Sequence, residues 1–321
     1  METYKQTHPW ITFQVDLRKI DPQTWLLLGQ AQSDCKHISG IPLLPEAAAW
    51  LHEIYLAKGV IATTAIEGNT LTEEDVLMRL AGKLDLPPSK EYLGQEIDNV
   101  IEACNLIAKN IYSGVPALLS VTDIKEYNKL LLHDLPLNEE VSPGQICTYS
   151  VGVGRYRGAP AEECEHLLER LCGWLNRDFE PPDDAQKIVY GLLKAIIAHL
   201  YFAWIHPFGD GNGRTARLIE FQILLASGVP FAAAQLLSNH YNQTRSEYYR
   251  QLDQASRSED IMPFIRYAIQ GFVDGLQEQL AVIRSQQLYV HWINYIHTQF
   301  RNRDKPSDLR NRQTASGIIT F

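Results

Sequence analysis

The sequence predicts an all-α protein carrying one short β-hairpin, and three observations support that expectation. Apolar residues recur at spacings of three and four through most of the 321-residue chain, which is the period of one helix face. One island, Cys147 to Pro160 (CTYSVGVGRYRGAP), is instead rich in Val, Tyr and Gly, and suits two paired strands with a glycine turn near Gly152 or Gly154. No repeat at a solenoid or propeller period is visible, so the helices are expected to share one core.

The helical pattern starts clearly at Pro45 to Ile66 (PEAAAWLHEIYLAKGVIATTAI), where Leu51, Ile54, Tyr55 and Val60 fall at helical spacing before Gly68-Asn69 ends the run. Thr70 or Thr72 caps the next helix, because TLTEEDVLMRL sets hydroxyls just ahead of first-turn acids. Ala81 to Lys90, with Pro87-Pro88, reads as a loop, and Tyr92 to Ile111 and Thr122 to Leu132 as helices. Beyond the hairpin, helices are expected over Ala161–Asn176, Asp184–Ile205, Arg214–Ser227, Asn239–Gln254 and Asp260–Gln299, with a polar tail from Arg301. At ~100 to 200 residues per domain this suggests one large domain or a main domain with small additions. The expected division is an N-terminal helical region over 1–110, a core over 111–270, and C-terminal helices and tail over 271–321.

Apolar residues make up 45% of the chain, too many for a disordered protein. A net charge of −9 argues against broad nucleic-acid affinity, which needs a basic face. Any polyanion must be held by a local cluster of cations and backbone amides. Five cysteines without a CxxC pair suggest neither a disulfide framework nor a zinc site. METYKQTHPW lacks the layout of a signal peptide. The best apolar run, Ile196 to Phe208, is interrupted by His199, His206 and Pro207, so no membrane span and a cytoplasmic location are expected.

The chemistry concentrates in His206-Pro-Phe208-Gly209-Asp210-Gly211-Asn212-Gly213-Arg214-Thr-Ala-Arg217. Three glycines in five positions point to a tight loop between helices. Such a loop turns successive N–H groups into one concavity, to which the next helix adds its positive end. Arg214 and Arg217 share a face of that helix and suit phosphate oxygens. Asp210 offers a hard oxygen for Mg²⁺, Asn212 a neutral donor, and His206 a group titrating near neutrality. An EF-hand reading of Asp-Gly-Asn-Gly fails, because Arg214 and Phe221 fall where calcium ligands belong. No GxxxxGK[ST] is present, and Gly152-Val-Gly154 lacks the rest of a dinucleotide fingerprint.

Together these residues resemble the Fic family signature HxFx[DE]GNGRxxR, matched at His206, Phe208, Asp210, Gly211, Asn212, Gly213, Arg214 and Arg217. The resemblance covers roughly Pro45 to Arg266 and implies a Fic-type helical bundle with a hairpin flap. It further implies an adenylyltransferase that moves AMP from ATP, with Mg²⁺, to a Ser, Thr or Tyr hydroxyl of a target protein. His206 would be the base and Asp210 the metal ligand. Gly209, Gly211, Asn212, Gly213, Arg214 and Arg217 would hold phosphates, and Phe208 would anchor the loop. Relatives that phosphorylate instead carry a lysine in place of the third glycine, so Gly213 favours AMP transfer.

A second family motif, [ST]xxxE[GN], is matched by Thr63-Thr64-Ala65-Ile66-Glu67-Gly68. By resemblance, about 45–67 would be an inhibitory helix whose Glu67 pairs with Arg217 and displaces the γ-phosphate. The hairpin residues Thr148, Tyr149, Ser150, Val151, Gly152 and Val153 resemble the family's target-docking flap. Asn242, Arg245 and Tyr249 match a region lining the adenine pocket, while Tyr248 and Leu252 sit at helical spacing and read as core. The short tail suggests that a winged-helix-like module found in similar chains is absent or incomplete. A homodimer is left open. So are two other readings: an AMP-removing enzyme in which Glu67 orients water, and a non-catalytic nucleotide-binding regulator.

Overall fold

The structure, a computed structural model, describes residues 3–153 and 156–299. Helices dominate as expected: α1 Tyr4–Thr7, α2 Pro22–Gly40, α3 Pro45–Ile66, α4 Glu73–Leu80, α5 Glu91–Tyr112, α6 Val121–Leu131, α7 Cys164–Asp178, α8 Lys187–Ile205, α9 Asn212–Ala226, α10 Leu236–Gln243, α11 Arg245–Ser258 and α12 Met262–Gln299. Between α6 and α7 lies the hairpin, β1 Gly152–Val153 against β2 Tyr156–Arg157.

The centre is the antiparallel pair α8 and α9, joined by the glycine loop. Around it, α2 and α7 cover α8, while α3, α5 and α6 cover α9, and α10 lies on α3. The segments before and after residue 111 therefore share one core. Helix α8 is apolar on nearly every side because it is buried on nearly every side. By length and mean hydropathy, Asp184–Ile205 reaches the standard of a membrane span, which its embedded histidine had seemed to exclude. It is 83% buried inside the protein, and is a core helix. Cys35, Cys104, Cys164 and Cys172 lie in this interior, where burial pushes their thiols up to about 12.

Local chemistry sets the boundaries. Thr72 caps α4 in a reciprocal arrangement: its hydroxyl accepts from Asp75 N at 3.2 Å, while the Asp75 carboxylate accepts from Thr72 N at 2.7 Å. Helix α2 has no counterpart among the expected elements, although Asp21-Pro22 marks its start. Asp21 accepts from Thr24 N at 3.0 Å and Pro22 opens the first turn. The single helix expected over Asn239–Gln254 is two, broken at Thr244 (φ −114°, ψ 37°), whose hydroxyl donates to His240 O at 2.7 Å. Gly152 is not the hairpin's turn but a strand residue paired with Arg157, and Gly154 lies outside the described residues.

Residues 1–275 form one compact unit, and the remainder a second. Of the second, the described part is the rest of α12 to Gln299. The expected tail and its incomplete module fall outside the described residues.

Candidate active site

The site begins where α8 is forced to end. Pro207 cannot continue the helix, and His206 takes the left-handed conformation (φ 51°, ψ 59°) with its N–H still donating to Phe202 O at 2.9 Å. A non-glycine residue held there is uncommon and points to a constrained site. Phe208 drops into the core, 1% exposed, against Phe202. Gly211 (φ 75°) reverses the chain into α9 beside the Asn128 amide, which donates to Asp210 O at 2.9 Å. The first amides of α9 have no intrahelical acceptor and open toward the loop's concavity.

Asn212 requires a correction. Expected as a phosphate donor, its side chain is buried and spent on the main chain of Phe208. Oδ1 accepts from Phe208 N at 3.0 Å and Nδ2 donates to Phe208 O at 2.6 Å. It braces the loop, and only its backbone N–H remains for an anion.

His206 Nδ1 lies 3.3 Å from Ala203 O. A carbonyl only accepts, so Nδ1 carries the proton and Nε2 keeps its lone pair. Burial lowers the ring's pKa, against smaller upward pulls from the Ala203 bond and the Glu67 charge. The ring is therefore a neutral base near pH 7.

Arg214 and Arg217 are both buried, yet differently held. Arg214 donates to Glu96 Oε1 at 2.8 Å and to Asp210 Oδ1 at 3.2 Å. Arg217 donates through Nε to Thr63 Oγ1 at 2.7 Å, and through Nη2 to Thr63 O at 3.0 Å and Glu67 Oε1 at 2.5 Å. Thr63 and Glu67 lie one turn apart along the end of α3, so both reach one guanidinium. Burial raises the Glu67 carboxyl, but Arg217, with Arg214 and Arg245 behind it, outweighs burial and holds it below the usual carboxylate range. The carboxylate rests over Gly213, where any Cβ would overlap it.

A cavity of about 510 Å³ opens beside these groups, lined by Glu67, His206, the stretch Gly209–Gly213 and Arg217, with Val151 and Gly152 on one side and Tyr248, Tyr249, Leu252 and Asp253 on the other. Two expectations change here. Leu252, read as core, is half-buried and lines the cavity with Tyr249, whereas Tyr248 is core as expected, 3% exposed, and also reaches the cavity wall. Asn242 and Arg245 do not line it; Arg245 reaches Ala65 O at 3.4 Å, beside the end of α3. Of the flap residues, Val151 and Gly152 line the cavity, and Tyr149 lies with its hydroxyl against Gly209. The run Thr148–Ser150 is not strand, since only Gly152 and Val153 pair. Upstream, Cys147 N donates to Pro207 O at 2.9 Å and Ile146 bridges Phe208, which ties the hairpin's base to the loop.

Three contributors carried no individual signal in the sequence. Thr63 appeared only as a motif letter. Glu96 and Asn69 are brought in by the fold: Asn69, two residues past Glu67, donates to Glu96 Oε2 at 2.9 Å while Glu96 Oε1 holds Arg214.

For a divalent metal, Asp210 is the available oxygen donor. Its side chain is half-open and one oxygen is engaged by Gly211 N–H and Arg214. No cluster of three or more metal-ligating side chains exists among the described residues. A lone carboxylate fits Mg²⁺ when phosphates and water complete the shell, and would not hold zinc.

Fold and site together define a helical protein with a glycine-rich loop between two core helices, a neutral histidine at its head and a carboxylate over its arginine. Residues 118–224 match the model of the Fic/DOC family, and the chain carries a Fic/DOC domain. It is 29% identical over 226 residues to "Protein adenylyltransferase fic-1" of Caenorhabditis elegans, covering 70% of this chain and 41% of that one. It is 29% identical over 206 residues to "Protein adenylyltransferase Fic" of Nematostella vectensis, covering 64% and 44%. The chain thus spans less than half the length of these relatives. A crystal structure of a Fic family protein from Desulfovibrio desulfuricans G20 shares the fold at a TM-score of 0.68, 24% identity, with 92% and 85% of the two chains covered. A structure of Fic-1 from C. elegans aligns at 0.66 and 25%, over 82% and 73%.

Proposed function

We propose that this protein is an adenylyltransferase that moves AMP from ATP to a hydroxyl side chain of a protein and is restrained by its own Glu67. The observation that carries the reading is the Glu67–Arg217 pair. A carboxylate lies at the positive end of α9, on a buried guanidinium, beside an unprotonated His206 Nε2. On this reading it occupies the guanidinium that would neutralise a terminal phosphate.

His206 Nε2 takes the proton as the acceptor oxygen bonds to the α-phosphorus, and pyrophosphate leaves. The first-turn amides of α9 receive developing charge on phosphate oxygens. Asp210 would hold Mg²⁺, which when bound neutralises phosphate charge. Arg217 binds the terminal phosphate only once Glu67 has turned away. The tyrosine wall of the cavity suits a flat base, and the hairpin offers an edge for the acceptor segment.

Purified protein incubated with labelled ATP and Mg²⁺ should show weak self-labelling that rises on Glu67→Gly and disappears on His206→Ala. ATP binding without any labelling in the Glu67→Gly chain would discard the transferase reading in favour of a nucleotide-binding regulator. Release of AMP from a modified protein, lost on Glu67→Gly, would reverse the direction assigned.

A further inference from the structure

The hairpin is held from two sides. Facing the loop, Tyr156 OH donates to Trp204 O at 2.7 Å and Ala159 N to Ile205 O at 3.1 Å. Gly158 lies so close that a Cβ on it would come within 2.7 Å of His206 Cβ. Any shift of β2 therefore reaches the neighbourhood of His206.

The other side is held by the N-terminal segment. Within the hairpin, Val153 pairs with Tyr156 and Gly158 N donates to Val151 O at 2.9 Å. Between these lies the Gly152–Arg157 pair, whose backbone groups point away from each other along the two outer edges. On the β2 edge, His8 is 2.9 Å through Nε2 from Arg157 O. The carbonyl only accepts, so His8 donates. Its Nδ1 is 2.8 Å from the Thr7 hydroxyl, and the residue is 6% exposed. The segment carrying it is stitched down by Tyr4 N to Glu163 Oε2 at 3.0 Å and by Phe13 packed on Trp174 and Tyr201. On the β1 edge, no protein group takes the Gly152 backbone among the described residues.

We infer that His8 is a positioning residue for transfer: it closes the outer edge of β2, leaves the Gly152 edge as the one open to an extended acceptor segment, and fixes that edge relative to His206. An unpaired edge recruits strands, so capping one of two edges selects where a segment adds. The role rests on the reading above that the hairpin docks the acceptor.

The test uses the full chain with His8→Ala and His8→Gln, since a glutamine Nε2 reaches as far as the imidazole Nε2 and preserves the donor. Hydrogen exchange is followed in peptides covering 147–160, ATP affinity is measured directly, and self-labelling is followed in the Glu67→Gly background at saturating ATP. Loss of one hydrogen bond predicts exchange about tenfold faster in the hairpin. Self-labelling should fall severalfold with ATP affinity held within about twofold, and His8→Gln should restore both. Full-rate labelling in His8→Ala, or labelling that falls only in step with ATP affinity, would overturn the role. Absence of labelling in the Glu67→Gly chain with His8 intact would instead remove the transferase reading, and this role with it.

Discussion

Gly213 shows how one side chain, by its absence, makes room for the Glu67–Arg217 contact. Its backbone is helical, so the glycine is required for space rather than for conformation. A methyl would strike the Glu67 carboxylate and push it off Arg217. Gly213→Ala should therefore cost about 1–3 kcal/mol in the wild-type chain and far less where Glu67→Gly has removed the obstacle. Thermal midpoints of the four chains in a double-mutant cycle give that coupling; additive effects would mean the two positions do not meet. His206 makes a second prediction at this scale. Burial lowers its pKa from the ordinary 6.5, and transfer needs the unprotonated ring. In the Glu67→Gly chain, which also loses the upward pull of the Glu67 charge, the labelling rate should rise with pH through a midpoint below 6.5 and be flat from about pH 7. A midpoint above 6.5 would remove His206 as the base.

At the scale of elements, the loop between α8 and α9 is a clasp whose pin is Asn212. Asn212→Ala deletes both bonds to Phe208 and strands a buried N–H and C=O, at about 1–3 kcal/mol for each group left unpaired. Urea unfolding should show that loss without ATP present; a side chain serving only as a phosphate ligand would leave the apo protein's stability unchanged. Much of this loop was legible beforehand, because alternating glycines, a proline and a paired arginine face are local signals. The exchange of roles at Asn212 was not. Its letter is compatible with a donor to phosphate or to the main chain, and only the position of Phe208 O decides. The same limit explains the tyrosine wall of the cavity: Tyr248 and Tyr249 adjoin on α11, and periodicity cannot say that the cavity reaches both. Glu96 was silent for a different reason. It lies 118 residues from Arg214, and no spacing rule reaches across a fold. Helix α2, by contrast, went unread although its signals are local: Asp21-Pro22 marks its start and Leu28, Ala31 and Cys35 recur at spacings of three and four.

For the whole molecule, the Glu67–Arg217 pair ties the proposed restraint on the site to the stability of the fold. Net charge is −9, yet both site arginines are buried and each is met by a carboxylate brought from another helix: Glu96 of α5 for Arg214, Glu67 at the end of α3 for Arg217. Removing Glu67 takes away the ion-pair partner of Arg217 and leaves its guanidinium bonded to Thr63, with the Glu220 charge acting without a direct bond. The cost is about 1–3 kcal/mol, below that of a fully enclosed pair because the Glu67 side chain is 32% exposed. The Glu67→Gly chain should accordingly melt below wild type without nucleotide. ATP then acts oppositely on the two. In the variant, the terminal phosphate meets an unpaired guanidinium, and a concentration of ~100 Kd returns about 2.7 kcal/mol. In wild type the same phosphate must first displace Glu67, so the gain is smaller. The melting difference between the two chains should narrow as ATP and Mg²⁺ rise, and should reopen when Arg217→Ala is added to the variant. Equal midpoint shifts in both chains at every ATP concentration would show that phosphate and Glu67 do not compete for Arg217.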